Sequence, residues 1–425
     1  MAQNKILSDL SKANKKFLSF YPGEPIGRQP VHTVYGGAHL FSSELASKMS
    51  QSALKTLNEF APKPESLAQI IGASKEDNAL WQKIHSRVVA KLQKEAVEDF
   101  RIDFEDGYGI RADEEEDGHA GNTAAEMVKG MKDKSLPPFI GIRIKPLTNE
   151  SMKRSLRTLD LVISEIVNKT KGKLPDGFVI TLPKITITEQ STTLTKTLED
   201  LEKKLKLRSG TLKFEIMVET TQSVLNEIGQ CPLREFVSAG KGRCIGAHFG
   251  TYDYTAGNGI TAAYQTMAHS ACDFAKHMMK VSLTGTGIML SDGATNVMPV
   301  GNSEVVHRAW KLSYDHIRHS MINGFYQGWD LHPAQLPIRY AAVYYFFLES
   351  LDSTTQRLKS FVEKAARATL LGDVFDDAAT GQGLLNFFLR GLSCGAISEK
   401  EAIATGLTLN EIYGRSFMKI LEGRK

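Results

Sequence analysis

Eight short stretches rich in β-forming residues, at 31–35, 99–106, 139–145, 178–182, 213–219, 244–249, 287–290 and 325–331, recur along the chain. Helical spacing of apolar residues separates most of them, over 42–60, 75–96, 120–132, 149–169, 188–207, 262–281 and 303–322, and again from Pro337 onward. Strands alternating with helices predict a parallel sheet, and eight of them predict closure. The expected fold is therefore α/β, a (β/α)8 TIM barrel over residues 1–350 that begins with an entry segment helical over 5–17 and a loop punctuated by Pro22, Gly23, Pro25 and Gly27. Residues 351–425 read as a helical C-terminal appendage, a lid or an oligomerisation arm, in which Gly381, Gly383, Gly391 and Gly395 separate short helices.

The second stretch shows what such a barrel would carry inside. Neighbouring side chains of a strand point to opposite faces, so Phe100, Ile102 and Phe104 share one face and Arg101, Asp103 and Glu105 the other. In the third, Ile140, Ile142 and Ile144 oppose Gly141, Arg143 and Lys145; in the fifth, Phe214, Ile216 and Val218 oppose Glu215, Met217 and Glu219. In the eighth, Gly328, Asp330 and His332 form the polar set. Isolated buried charges cost several kcal/mol each, so a charged lumen requires that its members pair or hold an ion. Barrel enzymes act at the C-terminal ends of their strands, which puts the weight on Glu105, Asp106, Arg143, Lys184, Glu219, Asp253 and His332.

Composition removes several function classes. A formal net charge of +4 comes from 52 basic and 48 acidic residues dispersed over 425 positions, with no basic run to contact nucleic acid or a membrane surface. No apolar run approaches the roughly 20 residues needed to span a bilayer, and the polar start Met1-Ala2-Gln3-Asn4-Lys5 has no secretory core. The expected location is cytoplasmic. Cys231, Cys244, Cys272 and Cys394 show no Cys-x-x-Cys spacing, so neither a disulfide nor zinc is expected.

At the strand ends the sequence resembles a known family. Asp103-Phe104-Glu105-Asp106-Gly107, Arg143-Ile144-Lys145-Pro146, Leu182-Pro183-Lys184, Val218-Glu219-Thr220, Phe249-Gly250-Thr251-Tyr252-Asp253-Tyr254-Thr255-Ala256 and Gly328-Trp329-Asp330-Leu331-His332-Pro333-Ala334-Gln335 are similar, in order, to motifs of the HpcH/HpaI aldolase and citrate lyase β-subunit family. Malyl-CoA and citramalyl-CoA lyases belong to that family, within the phosphoenolpyruvate/pyruvate barrel superfamily. The resemblance implies a homo-oligomeric carbon–carbon lyase that uses Mg2+ or Mn2+ and acts on a small oxo acid or a CoA thioester. It places metal ligands at Glu219 and Asp253, the oxyanion-binding guanidinium at Arg143, the acidic pair of the site at Glu105 and Asp106, and further substrate contacts at Gly250, Thr251 and Pro333. Hard oxygen ligands suit Mg2+, and an enolate formed by aldol cleavage is stabilised by a divalent ion beside a guanidinium.

Other readings of the same residues stand beside this one. Lys184 is a candidate Schiff-base lysine, which would make the chain a metal-free aldolase. Phosphoryl chemistry on phosphoenolpyruvate and a non-catalytic scaffold barrel are the remaining alternatives. His332 and His248 read as hydrogen-bonded structural histidines, Asp103 as the partner of Arg101 or another barrel charge, and the acidic run 113–117 as a solvated loop. The chain departs from the family at Glu115-Glu116-Asp117-Gly118-His119, so no CoA phosphate contact is carried over from that loop. Asp376 and Asp377 do not match the family's lid motif and read better as a helix N-cap.

Overall fold

The computed structural model describes residues 2–24, 27–73, 78–363, 369–371, 374–376 and 378–423. Eight parallel strands close in sequence order: β1 His32–Gly37, β2 Asp99–Asp103, β3 Phe139–Arg143, β4 Phe178–Leu182, β5 Phe214–Val218, β6 Cys244–Phe249, β7 Met289–Ala294 and β8 Gln327–Asp330. Register sets the two faces. Ile102 lies level with Ile142, Ile142 with Ile180, and Ile180 with Phe214, and all four are buried against the surrounding helices. Arg101, Arg143, Glu215, Met217 and Glu219 take the opposite phase and fill the lumen.

The lower lumen is closed by paired charges. Arg101 contacts Asp99 and donates from Nε to Glu215 Oε1 at 2.9 Å; Glu215 also lies 3.0 Å from His248 Nε2, and the Trp329 indole N–H donates to His248 Nδ1 at 3.1 Å. His248 is thus a satisfied core histidine. A charge so enclosed is tolerable because every member has a partner.

Several expectations are corrected. Asp330 does not face the lumen: it pairs with Arg339 on the helix Leu336–Leu348 and with His32 Nδ1, while Gln327 and Trp329 point inward. The acidic run is not a loop but the first turn of the helix Asp113–Asp133, where carboxylates face the positive end of the helix dipole. Within it Glu116 is buried and receives Lys145 at 2.7 Å, which draws Lys145 out of the lumen to the rim. The helix Pro64–Ile71 lies between the stretches 42–60 and 75–96 where no helix was expected, and begins with proline, whose missing N–H costs nothing there. Gly381, Gly383 and Gly391 do not divide helices; one helix, Ala378–Ser393, runs through all three. A Cβ at Gly381 would lie 2.5 Å from Phe417 and one at Gly391 2.4 Å from Ile397, so these glycines admit close packing instead of breaking the chain. The appendage also contains a two-stranded antiparallel pair, Thr369–Leu371 with Val374–Asp376. Pro25 and Asp377 lie outside the described residues.

Among the described residues no helix is long and apolar enough to cross a membrane, and the four cysteines are free thiols.

Candidate active site

A cavity of about 480 Å3 opens at the C-terminal end of the barrel. Its floor is Arg143, its flanks are Glu219 and Asp253, and an aromatic wall is made by Tyr35 and Trp329, stacked 4.2 Å apart. Each element places its residue for a local reason. Arg143 ends β3 in inward phase, Glu219 follows β5 in the same phase as Glu215, and Asp253 lies in the first turn of the short helix Thr251–Gly257 after β6. Gly250 can only be glycine at this spot, because a Cβ would sit 2.5 Å from the Glu219 side chain.

Arg143 is clamped by Asp103, Nε to Oδ1 at 2.7 Å and Nη2 to Oδ2 at 2.5 Å, a bidentate pair of buried groups. The partner of Asp103 is therefore Arg143 and not Arg101. The remaining nitrogen, Nη1, faces Glu105 Oε2 at 3.2 Å and Met217 Sδ at 3.7 Å, and the guanidinium also lies over the Tyr35 ring. One edge of the guanidinium is fixed by the protein and the other is turned toward the cavity.

Lys184 is the hub of the carboxylates. Its ammonium contacts Glu105, reaches Asp106 at 2.9 Å and Asp253 at 3.5 Å, while its backbone N–H donates to Glu219 Oε1 at 2.7 Å. The residue holds φ at 48°, a left-handed conformation costly for a side chain with a Cβ and found where surrounding contacts impose it. Arg143 answers Asp103 and Glu105, the Lys184 ammonium answers Glu105, Asp106 and Asp253, and Glu219 is met by the Lys184 backbone N–H. Burial, reinforced by the neighbouring carboxylates and opposed by Lys184 and Arg143, pushes Glu219 up to about 8 and Glu105 up to about 7. Asp106, by contrast, is held below its ordinary value by its hydrogen bonds to Glu105 and Lys184 and by Arg143, which together outweigh burial.

That imbalance is the test of whether the site suits a divalent cation. Five carboxylates, Asp103, Glu105, Asp106, Glu219 and Asp253, against the two cations Arg143 and Lys184 leave negative charge in excess, and all are hard oxygen donors. Among the described residues no group of three or more His, Cys, Asp or Glu side chains is arranged to chelate a metal by itself. Mg2+ does not require one, since it is commonly held by one or two carboxylates completed by water and substrate oxygens. The donor set fits.

Of the residues singled out from sequence, Asp106, Arg143, Glu219, Gly250, Thr251 and Asp253 line one cavity, and Glu105 adjoins it through Arg143 and Lys184. Pro333 does not line it; it opens the 3-10 turn Pro333–Gln335, capped by His332 Nδ1, which accepts from the Ala334 N–H at 3.1 Å. Thr251 Oγ1 and Tyr35 Oη, of two cavity-lining residues, are buried with no hydrogen-bond partner among the described residues, while Glu105 Oε2 has only its ion pair with Arg143. Sequence reading passed over the aromatic wall. Tyr35 was accessible from the inward phase of β1, but Trp329 was hidden by the misread phase of β8.

A second cavity, about 430 Å3, opens at the opposite mouth, lined by Asp99, Arg101, Glu215 and His248. Its charges are already paired with one another, and barrel chemistry belongs to the other end.

An eight-stranded parallel barrel with a carboxylate-rich C-terminal mouth defines the class of the protein. The chain belongs to the family described as "Domain of unknown function (DUF6986)", which matches residues 10–420. No curated protein matches it. The crystal structure of a citrate lyase from Burkholderia xenovorans LB400 is similar with a TM-score of 0.59 at 16% identity, over 90% of this chain and 97% of that one. Also similar are a malate synthase from Haloferax volcanii (TM-score 0.47, 13% identity, 92% and 97% covered) and CitE from Mycobacterium tuberculosis in complex with magnesium, acetoacetate and coenzyme A (0.47, 15%, 88% and 98%). The fold expected from the strand-end motifs is thus the fold found, shared with the citrate lyase structure.

Proposed function

We propose that this chain is a metal-dependent carbon–carbon lyase of aldolase type, cleaving or forming a hydroxy-oxo acid or a 3-hydroxyacyl thioester through an enolate. The observation that carries the reading is the convergence of Glu105, Asp106, Glu219 and Asp253, from the ends of three strands, around a site that also presents Arg143, whose Nη1 contacts Glu105 at the cavity edge. Glu219 and Asp253 would hold Mg2+ or Mn2+, which when bound supplies Lewis-acid polarisation of the substrate's oxo group. Arg143 Nη1 meets the negative charge that develops on that oxygen, and its clamp on Asp103 prevents reorganisation during the step. Thr251 Oγ1 donates to the substrate carboxylate; Gly250, whose N–H is spent on Val218 O, contributes only the absence of a side chain beside Glu219. Glu105, with its proton affinity near neutrality, takes the hydroxyl proton through a water between it and the cavity as the carbon–carbon bond breaks and its electrons pass to the enolate. The likeness in fold to a citrate lyase supports the reaction class.

Chelator-treated protein should not cleave 4-hydroxy-2-oxo acids or malyl-type thioesters, and Mg2+ or Mn2+ should restore cleavage. Activity that ignores chelation rejects the proposal.

The geometry speaks against the Schiff-base alternative. A nucleophilic lysine must be neutral, whereas the carboxylates around Lys184 raise its proton affinity further above the ordinary value. Borohydride added with pyruvate should therefore leave the mass of the protein unchanged; a reduced adduct on Lys184 would favour the metal-free mechanism.

We further propose that the helices Ala378–Ser393 and Glu399–Ile403 of the C-terminal segment buttress the barrel at the end away from its mouth. Arg390 bonds Gln29 and Glu24 ahead of β1, and Glu401 bonds Arg87, all away from the catalytic end.

A further inference from the structure

The N-terminal helix Ala2–Phe20 stands apart from the rest of the chain. Residues 4–20 are all exposed, and Ile6, Leu7, Leu10, Phe17, Leu18 and Phe20 are each 55–67% accessible. Its described attachments are at its root: Phe17 stacks on Tyr21, Arg234 lies over the Tyr21 ring, and the Gly23 N–H donates to Gly285 O at 2.9 Å. A lone helix of this length is marginal in water, and an apolar stripe is stable only when something covers it.

The spacing of that stripe says what covers it. Ile6, Leu10, Ala13, Phe17 and Phe20 recur at intervals of four, three, four and three, the seam of a coiled coil. Five such positions are a seam and not a broad face for a globular core. Charge selects the orientation. The seam is flanked on one side by Asp9 and Lys16. When two copies of the helix run antiparallel with Leu10 against the partner's Ala13 and Ile6 against the partner's Phe17, Asp9 of each faces the partner's Lys16. A parallel pair would leave both charges without an opposite. Among the described residues Asp9 pairs with Lys12, at 3.6 Å in solvent, a contact weak enough to be exchanged for another.

We infer that the N-terminal helix is a self-association arm that pairs antiparallel with the same helix of a second copy of this chain. The arrangement is isologous and closes as a two-fold. Two and a half heptads bury less than the roughly 800 Å2 per partner of a stable interface. The remainder is at hand beside the root, where the helix Ser270–Leu283 exposes Phe274 and Val281 on one face and Ile322 ends the adjoining helix Ser303–Ile322.

Light scattering coupled to gel filtration on the full chain tests this. Leu10→Glu should halve the mass of the wild-type assembly and leave a monomer that still unfolds cooperatively, at a melting temperature that no longer rises with protein concentration, since the side chain is exposed in its own chain. Asp9→Lys should raise the dissociation constant at least tenfold, and Lys16→Asp added to it should restore the wild-type value. A wild-type monomer at tens of micromolar overturns the inference, as does a mass indifferent to Leu10→Glu. So does a failed charge rescue, or a monomer that floats with phosphatidylserine vesicles.

Discussion

Glu219→Gln protein is expected to lose metal-dependent cleavage by about 10^3-fold, because metal polarisation contributes several kcal/mol at about 1.4 kcal/mol per tenfold in rate. The same protein should melt higher than the wild type near pH 8. Glu219 titrates ordinarily at 4.5 in the unfolded chain and at about 8 in the folded one. Between those values the folded state binds the extra proton, so wild-type stability is full below the lower value and is lost as pH rises toward the higher. Glutamine removes that ionisation and keeps the carbonyl oxygen that accepts the Lys184 N–H. Thermal melts of metal-free protein from pH 5 to 9, set beside initial rates, separate the two effects: activity falls while alkaline stability rises. A variant that loses both would indicate that Glu219 holds the fold and not the chemistry.

Arg143→Met should cost both. Asp103 is 1% exposed, and its two oxygens accept from the guanidinium as well as from the Glu105 and Gly107 N–H groups, so truncation leaves a buried carboxylate without its counter-ion. Breaking such a pair typically costs about 3–5 kcal/mol, readable as a shift in the denaturant midpoint. Adding Asp103→Asn removes the orphan charge and should recover part of the stability, since its amide nitrogen then meets the Glu105 or the Gly107 N–H, while leaving cleavage depressed by about 10^2-fold or more, the usual cost of removing one charge-stabilising donor. Recovery of activity together with stability would show that Arg143 acts only as the counter-ion of Asp103.

How far the site could be read in advance depended on which physical rule each residue obeyed. Strands β4 and β6 end where β-propensity ends, and the inward phase of Arg143 and Glu219 follows from a two-residue period. Asp330 obeys a different rule. Its charge reads as a lumen residue, yet Arg339 on the covering helix gives it an ion pair behind the sheet, and alternation cannot tell one side from the other once both are buried. The helix Thr251–Gly257, which carries Asp253, is too short to leave a periodic signal. The glycines of Ala378–Ser393 read as breaks because propensity is local, whereas their reason is contact with Phe417 and Ile397.

The amino-acid order alone determined the barrel, the polarity of its lumen and the set of strand ends that could carry chemistry, because strand phase and the position of a site at the C-terminal mouth are properties of local backbone geometry. Only the folded chain decided which charges answer each other. That Asp103 takes Arg143, that Lys184 gathers four carboxylates, and that the N-terminal helix is left with nothing to cover it all depend on distances between residues far apart in the chain, and these come into being only when the sheet closes.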